Sequence, residues 1–228
     1  VFSDMEMAGI GWSLKGAREL LRGYQLLRDE LEAEIYSVIG HLNIGSGPQL
    51  AKRLFEELGY STRGIGMTPK GDRHSVDAQA MDKLASRYPV CAKIRSWRYA
   101  GKMISTYVEP CTRRALDDRD SRVHPTFWLV STTGRTRCEK PNFQNIPAFL
   151  PAKFKHLSLR NNVVAAPGRR LVVADLSQIE LRLIAHVSSD SMFLKAYREY
   201  ECTACGTKGD SPVIHHECPE CGMAENDA

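Results

Sequence analysis

The stretch from Leu14 to Ile39 carries no proline, and Leu14, Ala17, Leu21, Tyr24, Leu31, Ile35 and Val38 recur at the three-and-four spacing of one helix face. Only Arg28 breaks the stripe. The pattern predicts a long amphipathic helix, and ordinary core packing accounts for its apolar face. Asn43-Ile44-Gly45-Ser46-Gly47-Pro48 then interrupts, and Gln49 to Leu58 reads as a short helix closed by Gly59. Residues 61 to 75, with four Thr or Ser, three Gly and one Pro, read as an exposed loop. Two further helical patterns run over about Val76 to Tyr88 and Val90 to Val108, the second stopped by Pro110. Residues 1 to 110 are therefore expected to be mostly helical.

After Cys111 the texture changes. Val123 to Val130 is rich in β-branched and aromatic residues and runs into Ser131-Thr132-Thr133-Gly134, which predicts a strand entering a loop. Leu171-Val172-Val173-Ala174-Asp175 predicts a buried strand ending on an acid, and Ser177 to Val187 a helix, with Ser177 and Glu180 at the spacing of a capping box. The fold class is α+β. The 228 residues allow one domain or two small ones. No apolar run approaches the roughly 18 residues of a membrane helix. The first residues, Val-Phe-Ser-Asp-Met-Glu-Met, carry acids where a signal peptide carries bases, so a cytoplasmic chain is expected, and the missing initial Met points to a fragment.

The formal charge of +4 is unevenly divided. Residues 1 to 110 hold 15 bases and 13 acids, residues 111 to 200 hold 15 and 8, and residues 201 to 228 hold 1 and 6, giving +2, +7 and −5. A basic middle third suits a polyanionic partner, although a solvated basic face gives the same count.

Two constellations carry chemistry. An Asp at the C-terminal end of an apolar strand is placed to hold a divalent metal, and oxygen ligands suit Mg²⁺, which keeps waters and substrate phosphates as its other ligands; the competing role for Asp175 is to help cap the next helix. The second constellation is Cys202-x2-Cys205 and Cys218-x2-Cys221, twelve residues apart, each pair followed by Gly. Four thiolates at this spacing close a structural, tetrahedral Zn²⁺ site, whereas paired disulfides suit a cytoplasmic chain poorly. His215 and His216 lie inside the loop as substitute ligands or surface residues, and Cys91, Cys111 and Cys138 read as packed thiols.

Asp175-Leu176-Ser177-Gln178-Ile179-Glu180-Leu181-Arg182 resembles the first palm motif of the family A DNA polymerases. Thr133-Gly134-Arg135 with Pro141-Asn142-Phe143-Gln144-Asn145-Ile146-Pro147 is similar to the family segment that lines the minor groove near the primer end. Arg98, Lys102, Thr106 and Tyr107 are similar to its Arg-x3-Lys-x3-Thr-Tyr helix, and Met5-Glu6-Met7-Ala8-Gly9-Ile10 to the stretch that opens the polymerase domain. The resemblance covers about residues 1 to 200. It implies a thumb-like region over 1 to 110, a partial palm with an antiparallel sheet over 111 to 200, and a zinc ribbon over 201 to 228 at the start of the fingers. The implied activity is a DNA-directed DNA polymerase that adds deoxynucleotides to a primer 3′ end by two-metal phosphoryl transfer.

The resemblance also implies roles. Asp175 would hold the metal, Leu176 would offer a backbone carbonyl, and Ser177 and Gln178 would lie beside the nucleotide. Glu180 would lie against the sugar and exclude a 2′-hydroxyl, or serve in the capping box, or both; Leu176 departs from the Tyr common in bacterial members, which bears on sugar selection. Arg135 would reach minor-groove acceptors that every base pair presents. Gln144, Asn145, Arg98, Lys102, Thr106, Tyr107 and Arg182 would serve DNA binding, with a solvated helix face as the competing reading for Arg98 and Lys102. His124 receives no role.

Primer-template DNA and deoxynucleoside triphosphates are the implied partners, in the bacterial nucleoid or a phage-infected cytoplasm. No fingers helix and no His-Asp-Glu motif follow residue 200, so the expectation is a truncated reading or one piece of a split polymerase, inactive alone and completed by a second chain with fingers and the remaining palm. The alternative is a non-enzymatic DNA-binding protein with the ribbon as a contact module; an RNA polymerase of the same superfamily is disfavoured by Glu180.

Residues 201 to 228 are too few to build a core, so metal binding must supply their folding energy. One zinc per chain is expected by elemental analysis of reduced protein, with little change in DNA affinity for Cys205→Ser because the segment is acidic. Zinc-free protein would overturn the site.

Overall fold

Ser13 opens the long helix α2 (Leu14–Ile39): its backbone is extended and its hydroxyl accepts the Gly16 amide at 3.0 Å. Gly40, at φ 74°, closes it with its N–H on the Tyr36 carbonyl. These elements come from a computed structural model that describes residues 1–118, 120–129, 134–147, 152–176, 178–201 and 208–210. The chain divides into two compact units, Val1–Leu171 and Val172–Ala228.

In the first unit α2 is shared by two cores. Ala17, Leu20 and Tyr24 enter one with Trp12, Met103, Tyr107 and Phe154, while Leu31, Ile35 and Ile39 enter the other with Leu50, Met81, Ile94 and Trp97. The sequence stripe drifts by one residue at its end, so that Ile39 is buried and Val38 is half exposed. Arg28, the interruption, lies between the two sets with its guanidinium 4.3 Å from the centre of the Trp97 ring. Tyr24 is wholly buried and its hydroxyl donates to the Leu157 carbonyl at 2.7 Å.

The remaining helices follow local signals. After α1 (Phe2–Ala8) and strand β1 (Ile10–Trp12) come α2, then α3 (Gly47–Ala51), which continues as a wider turn over Lys52–Glu57 and ends near Gly59 at φ 65°. The loop over 61–75 contains a single bridge between Met67 and His74. The Asp77 carboxylate accepts the Ala80 amide at 2.8 Å and caps α4 (Ala78–Ala85), a shorter helix than Val76 to Tyr88 suggested. Helix α5 (Pro89–Met103) starts on proline, where the missing N–H costs nothing. The expected stop at Pro110 does not occur, because α5 runs through a π-type turn, Ile104–Val108, into α6 (Glu109–Asp117). In that turn the Glu109 N–H reaches back to the Ile104 carbonyl, shifting the hydrogen-bond register by one, and Pro110 falls in the opening turn of α6 where no donor is required.

Strands β2 (Arg122–Val123) and β5 (Val163–Val164) flank β1 in an antiparallel sheet, with Ile10 opposite Val123 and Gly11 opposite Val164. A Cβ on Gly11 would lie 2.3 Å from the Val164 carbonyl oxygen, so only glycine permits this pairing. The single strand expected over Val123 to Val130 is split by His124-Pro125, and β3 (Thr126–Trp128) instead pairs with β4 (Arg137–Glu139).

The second unit contains α7 (Ile179–Ser188), α8 (Ser191–Arg198) and an antiparallel hairpin of β6 (Glu199–Glu201) and β7 (Lys208–Asp210). One expectation fails at this boundary. Leu171 to Asp175 form no strand and are exposed, Val172 at 89% and Val173 at 91%, because no described strand offers them a hydrogen-bonding neighbour. Helix α7 begins at Ile179 after Gln178 at φ 49°, whose side chain makes no cap hydrogen bond; the capping-box expectation rests on Ser177, which lies outside the described residues. Among the described residues no helix is long and apolar enough to cross a membrane.

Tyr24→Phe should destabilise the first unit by about 1–3 kcal/mol, since it leaves a buried carbonyl without its donor. Urea unfolding followed by tryptophan fluorescence reads this directly; an unchanged midpoint would remove the bond from the account.

Candidate nucleic-acid interface

Helix α5 turns Ile94, Trp97, Ala100 and Met103 inward, and this orientation leaves Lys102 and, one turn on, Thr106 exposed. Tyr107 points inward and is buried. Its hydroxyl donates to the Asn145 carbonyl at 3.1 Å, and burial pushes the phenol above its ordinary pKa. This bond joins two predicted site segments, the helix of Arg98 to Tyr107 and the loop of Pro141 to Pro147.

The loop is held by its own side chains. The Gln144 carbonyl oxygen accepts the Cys138 amide at 2.9 Å and its amide nitrogen donates to the Thr136 hydroxyl at 2.9 Å, which fixes the strand β4 beside Arg135. The Asn142 side chain accepts the Asn145 amide at 3.2 Å. The Gln144 side chain is therefore engaged by the protein, although the residue, like Arg135 and Asn145, is exposed. Phe143 packs edge-on against Trp12 with ring centres 6.2 Å apart.

Arg98 is only partly accessible. Its guanidinium donates to the Val76 carbonyl and to the Ile44 carbonyl at 3.4 Å, so it ties the entrance of α4 to α5. Burial lowers its pKa, and the nearby Asp77 carboxylate acts in the opposite direction.

In the second unit, Asp175, Leu176, Gln178 and Glu180 are exposed and Arg182 is half-buried. Asp175 lies in the irregular segment before α7, and Glu180 in the first turn of α7, where the helix dipole favours an acid. Among the described residues no group of three His, Cys, Asp or Glu converges. A single exposed carboxylate fits Mg²⁺ held mainly by waters and substrate phosphates. Cys202, Cys205, Cys218 and Cys221 lie outside the described residues, as do His215 and His216; β6 and β7 flank the first cysteine pair.

Two residues beyond the sequence-predicted set take part. His124 has Nδ1 2.7 Å from the Glu6 carbonyl oxygen and Nε2 3.5 Å from the Asp118 carboxylate, and it lies under Gly9, which holds α1 on the hairpin. Arg160 donates to the carbonyls of Ile146 at 3.0 Å and Pro147 at 3.3 Å. Arg160 has no sequence signal, and His124 has only its place in Val-His-Pro, which fits a family position without fixing a role, since each acts on backbone brought near by the fold.

Arg98→Ala should cost about 1–3 kcal/mol, because two carbonyls lose their donor, whereas Lys102→Ala at an exposed position should stay within about 0.5 kcal/mol. Parallel urea titrations test the contrast, and equal losses would contradict it.

The sequence profile of DNA polymerase family A matches residues 16–203, which includes every segment of the family resemblance except Met5 to Ile10 and ends before Cys205, Cys218 and Cys221. DNA polymerase I of Chloroflexus aurantiacus is 36% identical over 202 residues, covering 87% of this chain and 21% of the relative. The thermostable DNA polymerase I of Thermus aquaticus is 34% identical over 209 residues, covering 87% and 23%. Among solved structures, the polymerase domain of Pol1 from M. smegmatis, in complex with a DNA primer-template and dNTP, superposes with a TM-score of 0.73 at 30% identity, over 86% of this chain and 34% of that one. The chain thus spans about a fifth to a quarter of the length of these curated relatives. Fold, ordered motifs and family profile agree, and the chain belongs to DNA polymerase family A.

Proposed function

We propose that this chain is a thumb and partial palm of a template-directed DNA polymerase, binding primer-template DNA and a deoxynucleoside triphosphate. The observation that carries the reading is the Tyr107–Asn145 hydrogen bond, which draws two motif segments 38 residues apart into one exposed surface. Lys102 and Thr106 on one side and Arg135 and Asn145 on the other face solvent there. Residues 111 to 170 hold 12 bases against 4 acids, which suits a phosphate backbone. Arg135 and Asn145 touch groove acceptors common to all base pairs, giving contact without sequence preference. Gln144 supports them from beneath through Thr136. Tyr107 holds the loop, and Arg98 joins the DNA contact only by exchanging the carbonyls of Ile44 and Val76 for phosphate oxygens.

Asp175 holds Mg²⁺ in this reading, with the Leu176 carbonyl beside it, Ser177 and Gln178 next to the nucleotide, Glu180 against the sugar and Arg182 towards the DNA. When bound, the metal supplies charge for aligning the primer hydroxyl with the α-phosphate. That chemistry requires a second carboxylate, which in this reading the remaining palm supplies to Asp175 as its partner. Leu171 to Ala174 are exposed and form no strand among the described residues, and their backbone suits pairing with that part of the palm. The β6–β7 hairpin supports a zinc knuckle around Cys202 and Cys205, completed by Cys218 and Cys221.

Primer-template affinity should fall steeply with salt, with a log-log slope of about −0.9 per phosphate neutralised. A Lys102→Ala, Arg135→Ala double variant should bind more weakly at every salt concentration and with a shallower slope. A flat salt response, or unchanged binding by the variant, would overturn the DNA interface. The chain alone should not incorporate dNTP with Mg²⁺; template-dependent synthesis abolished by Asp175→Ala would show that another acid completes the metal site.

A further inference from the structure

Three successive carbonyls of the motif loop are held by side chains from outside it. Tyr107 takes Asn145 at 3.1 Å, and Arg160 takes Ile146 through Nη2 at 3.0 Å and Pro147 through Nε at 3.3 Å. Both donors stand on fixed supports. Tyr107 belongs to the core under α2. Arg160 belongs to the short turn Leu159–Asn162, whose Leu159 and Asn162 are buried and which runs directly into β5, where Val163 pairs with Trp12.

The loop has little backbone order of its own. The Asn145 and Ile146 amides reach the carbonyls of Asn142 and Phe143 only at 3.4 Å, long for a stable turn. Pro141 and Ile146 are buried and Phe143 packs against Trp12, which seats the segment as far as Ile146; the carbonyls of Ile146 and Pro147 are then left to Arg160. A planar guanidinium spans two adjacent carbonyls and holds both; an ammonium presents one compact charge and lacks the fork.

We propose that Arg160 is a positioning residue of the interface: it clamps Ile146 and Pro147 so that Asn145 faces the duplex in one orientation. The proposal rests on the reading of this loop as a DNA contact. Because Arg160 is itself exposed, direct attraction to a phosphate is the competing role. A phosphate contact needs the positive charge, whereas a clamp needs the fork, and Lys preserves only the first.

The test uses the full 228-residue chain with Arg160→Lys and Arg160→Ala. Amide hydrogen exchange at Asn145 and Ile146 is measured without DNA, and primer-template affinity is measured by anisotropy over a salt series. Both variants should exchange about tenfold faster at these amides and lose about fivefold in affinity, with Lys no better than Ala. Wild-type affinity in Arg160→Lys alongside a loss in Arg160→Ala would overturn the clamp in favour of a phosphate contact, and so would unchanged exchange in both. If the wild-type chain does not bind primer-template, the DNA reading fails by itself, and the exchange comparison alone decides the clamp: acceleration in both variants supports it, no change overturns it.

Discussion

Burial of one face of α2 against α5 and its neighbours is the constraint on which the first unit depends. A helix with a continuous apolar face could sit in one core, but α2 serves two. The seam falls at Arg28, whose guanidinium covers Trp97 while the Trp97 indole N–H donates to Glu32 at 2.9 Å and the Tyr36 hydroxyl donates to the same carboxylate at 2.9 Å. A charged group is tolerated there because the Trp97 ring face receives it. The orientation of α5 that follows puts Tyr107 inside and Lys102 outside, so interface geometry is a consequence of core packing.

The interface loop illustrates a different economy of backbone hydrogen bonding. Residues 142 to 147 belong to no sheet, and their groups are satisfied by Asn142, Tyr107 and Arg160. Side-chain support permits an irregular path, which lets neighbouring residues face the solvent in a way a ladder would forbid. It also makes the loop sensitive to single substitutions at residues that never touch a ligand.

Much of this was legible in the sequence where the governing forces are local. The helical periodicity of α2, the glycine stop at Gly59 and the ordered motifs all report on short-range geometry or on chemistry tied to residue type. The failures involve hydrogen-bond register or partners distant in the chain. Pro110 reads as a stop because its missing donor is visible, but the register shift in the preceding turn that makes this harmless is not. Leu171 to Asp175 has the composition of a buried strand, yet burial and pairing require neighbours, and none is provided among the described residues. The break at Arg28 was visible while its cause, the ring of Trp97 far along the chain, was not. Arg98 was recognisable as a motif residue, but its hold on the Ile44 and Val76 carbonyls depends on tertiary placement.

The position of the seam has a mechanical consequence. From Arg28 to Ile39 the helix extends for about 16 Å at 1.5 Å per residue, forming a lever arm whose far end carries the second core. A bend of about 10° at the seam, within the gentle curvature long helices accommodate, would carry that end sideways by about 3 Å. The loop over 61–75, with Arg63, Lys70 and Arg73, rides on the distal core through buried Ile65. A small bend at one arginine would thereby displace a loop that carries Arg63, Lys70 and Arg73.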